Sequence, residues 1–439
     1  MSKKMKMLGS AVGLGLTAGI ASAALAEEIT IATVNNGDMI IMQELSSQWE
    51  EKTGNSINWV VLEENVLRQR VTTDIATGSG QYDIMTIGSY EAPIWGRQGW
   101  LEPVDDLGDD YHYEDLIPGV KTGLSADGKL YAVPFYAESS FTLYRKDLFE
   151  KAGLTMPEQP TYEQIAKFAA KLTDKDNGVF GICLRGKPGW GENMAFFGTL
   201  VNTFGGRWFD EKWKPQLDTA AWKNALTYYL DIMGKYGPPG ATSNGYNENQ
   251  ALFQTGKCAI WIDATSAAGR VFDPSQSDVA EHVGFAAAPI GNTPKGNAWF
   301  WAWSLAVPSS SDNKKVAKDF LTWATSQSYV ELVGETKGWV AVPPGTRGST
   351  YQNAKYQEAA PFALTVLESI LAADPNQPTM DPVPYTGIQY VSIPEFQGIG
   401  TQVGQFVSAA LAGNMTPDDA LANSQQAVER VMQRAGYPK

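Results

Sequence analysis

The sequence predicts an α/β protein built as two units. Two observations carry this reading. Strand-like and helix-like stretches alternate from Ile29 to Ile87, and a second set of short apolar runs begins at Lys129. Length agrees: the chain has 439 residues, more than one core usually supports.

In the first unit, Ile29-Thr30-Ile31-Ala32-Thr33-Val34 is a β-branched run bounded by Asn35-Asn36-Gly37, which reads as a strand. A helix follows with Asp38 as its N-cap, and Ile41, Leu45 and Trp49, four apart, form its apolar stripe. It stops at Thr53-Gly54, where glycine suits the left-handed C-terminal position. A strand from Ser56 to Leu62, a helix from Val66 to Thr77 and a short buried strand from Tyr82 to Ile87 complete a pattern that predicts a mostly parallel sheet. In the second set, Lys129–Pro134 and Phe141–Tyr144 are extended, and Thr161 and Gln164 stand at capping-box spacing at a helix start. Val179–Leu184 and Ala259–Asp263 read as further strands. A helix is expected from Lys314 to Ser326 with Val316, Phe320 and Trp323 inward. Thr416-Pro417-Asp418-Asp419 joins an N-cap, a first-turn proline and helix-start acids.

The N-terminus reads as an export signal. Lys3, Lys4 and Lys6 precede an apolar stretch from Met7 to Ile20, and small residues lead to Ala24-Leu25-Ala26. The run is shorter than the ~20 apolar residues a membrane span needs. The expectation is cleavage near Ala26 and a soluble exported protein of 413 residues starting at Glu27. Removing the signal leaves 31 basic against 48 acidic residues, a net charge of −17, which disfavours nucleic acid and anionic lipid as partners. Cys183 and Cys258 each lie in an apolar run. Two buried thiols are the expectation, with one disulfide as the alternative in an oxidising compartment. His112 and His282 fit no zinc or nucleophile motif, and no glycine-rich phosphate cradle follows a strand, so no cofactor or metal is expected.

Several motifs then converge. Gly128-Lys129-Leu130-Tyr131-Ala132-Val133-Pro134 is followed by Leu143-Tyr144-Arg145-Lys146-Asp147-Leu148-Phe149 and the helix start at Pro160-Thr161-Tyr162. Gly99-Trp100-Leu101-Glu102-Pro103, Gly256-Lys257-Cys258-Ala259 and Trp303-Ser304-Leu305-Ala306-Val307-Pro308 also occur in order along the chain. Together they resemble the extracellular solute-binding proteins of sugar ABC importers, a maltose-receptor-like superfamily, and most closely the branch that binds sorbitol, mannitol and similar polyols. The resemblance implies a two-lobed periplasmic-binding-protein fold, each lobe a mostly parallel sheet flanked by helices and discontinuous in sequence. It implies residues 27–137 and 285–308 in the N-terminal lobe, and 138–284 and 309–439 in the C-terminal one. It also implies a non-catalytic monomer that closes on a small neutral polyol or sugar and delivers it to membrane permease subunits.

A polyol offers hydroxyls and C–H faces, so its site needs directional polar side chains and aromatic rings. Asn35 and Asn36 follow the first strand on the edge where open α/β sheets bind ligands, although Asn-Asn-Gly is also an ordinary turn. Tyr90 and Glu91 stand at the equivalent edge after Ile87. Glu138, four residues after Pro134, matches the ligand-contacting crossover of the resembling family. Asp263 ends a strand where relatives carry a polar cleft residue. Arg185, Trp190 and Asn193 flank a glycine-rich loop that reads equally as an exposed turn. Trp299, Trp301 and Trp303 share one face of a strand; Trp299 and Trp301 are the candidates, with Trp303 expected in the core. Trp339 lies in a loop often aimed at the cleft. A mono- or oligosaccharide receptor, a secreted glycan-active enzyme and a lectin are the competing readings.

Overall fold

The structure, a computed structural model, describes residues 26–438. The export signal lies outside these, apart from Ala26. Strand β1 (Glu28–Val34) leads into helices α1 (Gly37–Leu45) and α2 (Ser47–Thr53). Strand β2 (Ser56–Leu62), helix α3 (Glu64–Thr77) and strand β3 (Ile84–Gly88) follow. Strands β4 (Val133–Glu138) and β5 (Ser140–Arg145) come almost end to end. Helices α4 (Tyr162–Leu172), α5 (Asn193–Thr203), α6 (Ala220–Tyr236) and α7 (Tyr246–Gln254) precede β6 (Ile260–Ala264), β7 (Val283–Ala287) and β8 (Trp301–Ala306). Helices α8 (Lys314–Thr325), α9 (Phe396–Leu411) and α10 (Pro417–Arg434) complete the main elements.

Two sheets form two lobes, one with strand order β2-β1-β3-β8-β4 and one with β6-β5-β7. The parallel arrangement expected for both holds only for β2-β1-β3, where Glu28 pairs Ser56 and Ile31 pairs Ile84. Strand β8 runs antiparallel to β3 and β4, and β5 runs antiparallel to β6 and β7. The reason is the crossover: β4 leaves the first lobe and continues past Ser139 as β5 of the second, while β8 brings the chain back. Outgoing and returning strands lie side by side in opposite directions.

Several local expectations change. The cap of α1 is Asn36, not Asp38, because the Asn36 Oδ1 accepts the Met39 N–H at 3.1 Å from an extended backbone. Segment 179–184 forms only isolated bridges, antiparallel from Val179 to Asp174 and parallel from Phe180 to Cys258 and from Cys183 to Trp261. Cys183 and Cys258 are joined in a disulfide with Cα atoms 6.0 Å apart. The two buried thiols expected from the sequence are therefore one cross-link, made possible because these bridges bring the two apolar runs together. The capping box at Thr161 and Gln164 and the Thr416 cap of α10 are present.

The lobe boundaries also shift. Strand β7 pairs with β5 in the second sheet, although residues 285 onward were expected in the first lobe. Helix α8, expected in the second lobe, covers the first. Phe320 packs against Trp49 at 5.2 Å and Trp59 at 6.0 Å, and Asp319 accepts the Trp49 indole N–H at 2.8 Å. Its inward face is Ala317, Phe320, Leu321 and Ala324, with Val316 and Trp323 only partly buried. The chain thus lays one more helix on the first sheet before returning.

Candidate ligand-binding site

A cavity of about 350 Å³ opens between the two sheets. One wall is aromatic: Trp299, Trp301 and Trp303 line it together because side chains two apart on an extended chain share a face. Trp303, expected in the core, belongs to this wall. Its ring lies 5.5 Å from that of Trp301, and Trp190 closes on Trp301 at 5.6 Å from the second lobe. The indole N–H groups of Trp190 and Trp301 are buried and have no hydrogen-bond partner among the described residues. Both remain unpaired donors beside the aromatic wall.

Charged groups fill the remaining walls in pairs. Arg68, on α3, is held by Glu64 (Nη2–Oε1 2.8 Å) and Glu91 (Nη1–Oε1 2.7 Å), and its guanidinium lies 4.0 Å over the Trp190 ring. Arg185 grips Asp263 with Nη2 2.6 Å from Oδ1 and lies 5.5 Å over the Trp299 ring. Guanidinium groups lying over indole rings and held by carboxylates are fixed in place at the cavity wall. Glu138 sits at the end of β4, where its Oε2 accepts the Ser266 hydroxyl at 2.5 Å. Burial pushes this carboxyl up to about 8, which outweighs the lowering by Ser266 and Arg185.

The structure brings Asn35, Asn36, Glu138, Arg185, Trp190, Trp299 and Trp301 together at the cavity. Asn36 serves both as helix cap and as lining, its Nδ2 donating to the Tyr136 hydroxyl at 2.9 Å. Five expected residues do not line it. Glu91 and Asp263 stand behind the cavity as anchors for Arg68 and Arg185. Tyr90 lies behind Trp190, ring to ring at 5.0 Å, with its hydroxyl donated to the carbonyls of Ile393 and Pro394. Asn193 holds the loop before α5, accepting from the Gly189 N–H and donating to the Gly404 carbonyl. Trp339 packs away from the cavity, with Lys355 5.3 Å from its ring.

Sequence reasoning missed Glu64, Arg68, Lys187, Glu192, Tyr136, Tyr246 and Gln389, all of which line the cavity. Glu64 and Arg68, four apart at a helix start, carried a faint signal that usually marks a solvated pair. Gln389 had none: it grips the Phe300 backbone at both N–H and carbonyl from a distant loop, fixing the tryptophan strand.

Residues 36–331 match the family model of bacterial extracellular solute-binding proteins. The chain belongs to that family. A mannitol-binding protein of Pseudomonas aeruginosa is 60% identical to this solute-binding protein over 415 residues, covering 94% of this chain and 95% of that one. An ABC transporter solute-binding protein of Agrobacterium vitis, solved with bound D-mannitol, superimposes with a TM-score of 0.93 at 61% identity, over 94% of this chain and 100% of its own. A solute-binding protein of Agrobacterium radiobacter in complex with ribitol shares the fold at a TM-score of 0.82 and 24% identity, over 92% and 98% of the two chains. The family fold accounts for the crossover of β4 and β8, which sets the tryptophan strand and Glu138 at the lobe junction. Among the described residues, no helix is long and apolar enough to cross a membrane.

Proposed function

We propose that this solute-binding protein is the periplasmic receptor of an ABC importer for a linear polyol, D-mannitol first, and that it captures the polyol by lobe closure without altering it. One observation carries the reading. A single cavity between the lobes combines three tryptophans on one face with Arg68, Arg185 and Glu138 at its edges. Indole faces suit the C–H face of an extended polyol, and the charged groups suit its hydroxyls, with charge-assisted hydrogen bonds the stronger kind. The high identity to the Pseudomonas mannitol-binding protein and to the D-mannitol-bound Agrobacterium protein supports the hexitol.

The carboxylates support capture rather than hydrolysis. Glu64 is tied to Arg68 and Asp263 to Arg185, and the buried cavity acids Glu138 and Glu192 are both raised by burial to about 8, whereas glycoside cleavage needs an acid together with an ionised carboxylate flanking one bond. In this reading the signal is cleaved near Ala26, and the monomeric receptor carries its ligand to membrane permease subunits. Calorimetry with mannitol, sorbitol, arabitol, glucose and maltose tests it. The expected result is micromolar affinity for at least one polyol, about −8 kcal/mol, and little heat from maltose. Clear heat from maltose with none from any polyol overturns the ligand class, and turnover of a bound sugar overturns the receptor reading.

A further inference from the structure

Glu192 is the least satisfied acid in the cavity. It stands at the end of the loop that follows Arg185, just before α5, and is 4% exposed. Its Oε1 lies 3.3 Å from Lys187, but Lys187 is drawn closer to Glu63 of the first lobe, at 2.6 Å. Its Oε2 is buried with no hydrogen-bond partner among the described residues. The charged groups around it come from its own loop and from two helices. Arg185 and Lys187 come from its own loop, Glu63 and Glu64 from the start of α3 together with Arg68 beside Gly191, and Glu248 from α7. Both cations nearest to it are already committed, Arg185 to Asp263 and Lys187 to Glu63.

Glu192 belongs to the second lobe and Glu64 to the first, so only closure brings the two carboxyls together. A buried acid beside a second acid, with its cations taken, is held most stably as the neutral carboxyl. Resting on the receptor reading above, we propose that Glu192 is a ligand-reading residue that takes a proton from solvent as the lobes close. The neutral group, at the cavity wall that Glu192 lines, then offers an O–H to a polyol hydroxyl, with Lys187 3.3 Å from Oε1. Capture would thereby be coupled to proton uptake. Burial and then Glu64 raise the Glu192 carboxyl to about 8 in this closed arrangement, in keeping with the geometry.

The sign follows from linkage. A carboxyl whose proton is held more tightly in the closed state favours closure as pH falls. Affinity should rise from pH 8.5 to 6.5, approaching tenfold per pH unit for one proton, and level off in the ordinary carboxyl range. The test is calorimetry of the full chain with D-mannitol at pH 7 in phosphate and in Tris, whose different ionisation heats count protons. The wild type should take up about half to one proton per ligand or more, and Glu192→Gln at least half a proton fewer. The remainder belongs to Glu138 and to Asp38, which burial raises to about 7. Binding of D-mannitol without proton exchange, or an unchanged count in Glu192→Gln, overturns the coupling while leaving the receptor reading intact. If the variant binds too weakly to titrate, the wild-type affinity series decides, and a flat profile between pH 6.5 and 8.5 overturns the proposal. No heat from any polyol overturns both readings together.

Discussion

Arg185 and Asp263 form a forked ion pair that is almost wholly removed from solvent: Nη2 lies 2.6 Å from Oδ1, and Nε lies 3.1 and 3.0 Å from the two carboxylate oxygens. Asp263 is held in turn by the Trp261 indole N–H at 3.1 Å and the Ala264 N–H at 2.7 Å. Every strong donor around the carboxylate is therefore used to aim one guanidinium at the cavity. Removing the acid strands a buried cation, which typically costs about 3–5 kcal/mol. Asp263→Ala should lose stability of this order in urea unfolding. Its folded fraction should also bind polyol at least tenfold more weakly, because Arg185 loses its aim. A loss under about 1 kcal/mol would mean that water can replace the carboxylate.

Gly88 and Trp301 meet at the junction of β3 and β8. A Cβ built on Gly88 would overlap the six-membered ring of Trp301. The position needs glycine because the indole lies flat on the neighbouring backbone, and no unusual φ is involved. Gly88→Ala should push the Trp301 ring into the cavity and lower polyol affinity at least tenfold. Trp301→Phe should bind better than Gly88→Ala, since a smaller ring leaves the cavity open. The check is calorimetry of both variants, and near-ultraviolet circular dichroism would report the moved indole in Gly88→Ala.

The first lobe was legible because β1, β2 and β3 are continuous apolar runs separated by helices with recognisable stops, such as Gly54 in the left-handed conformation at φ +78°. The tryptophan wall was legible for a similar reason: a spacing of two has one geometrical meaning on a strand. What distance in sequence separates was not. The Cys183–Cys258 bond spans 75 residues, and α8 returns to a sheet whose first strand is some 280 residues earlier. Nor does residue type distinguish a side chain that touches ligand from one that holds it. Asp263 and Glu91 were expected at the ligand and stand one layer behind, whereas Arg68, which Glu91 anchors, passed unnoticed.

The disulfide makes a separate stability prediction. Closing a loop of 75 residues restricts the unfolded chain by about 4 kcal/mol in the chain-entropy account. The variant with Cys183→Ala and Cys258→Ala should lose several kcal/mol in urea unfolding while keeping its affinity for polyol, since neither cysteine lines the cavity. Both sulfurs are fully buried, so adding reductant to the native protein should change little until it unfolds.

Gly191 sets how closely the lobes can approach. It lies opposite the first turn of α3, where an added Cβ would overlap Glu64 Oε1 and come within 3.1 Å of Arg68 Nε. Beside it, Asn65 Nδ2 donates to the Pro188 carbonyl at 3.2 Å and Lys187 pairs with Glu63 at 2.6 Å. The contact is a seam between the lobes, and a methyl group there should wedge it open without disturbing either core. Gly191→Ala should melt near the wild-type temperature yet bind D-mannitol at least tenfold more weakly. Small-angle scattering should show ligand-induced compaction in the wild type and much less in the variant at saturating polyol. Full compaction and wild-type affinity in Gly191→Ala would mean that closure does not bring the glycine loop against α3.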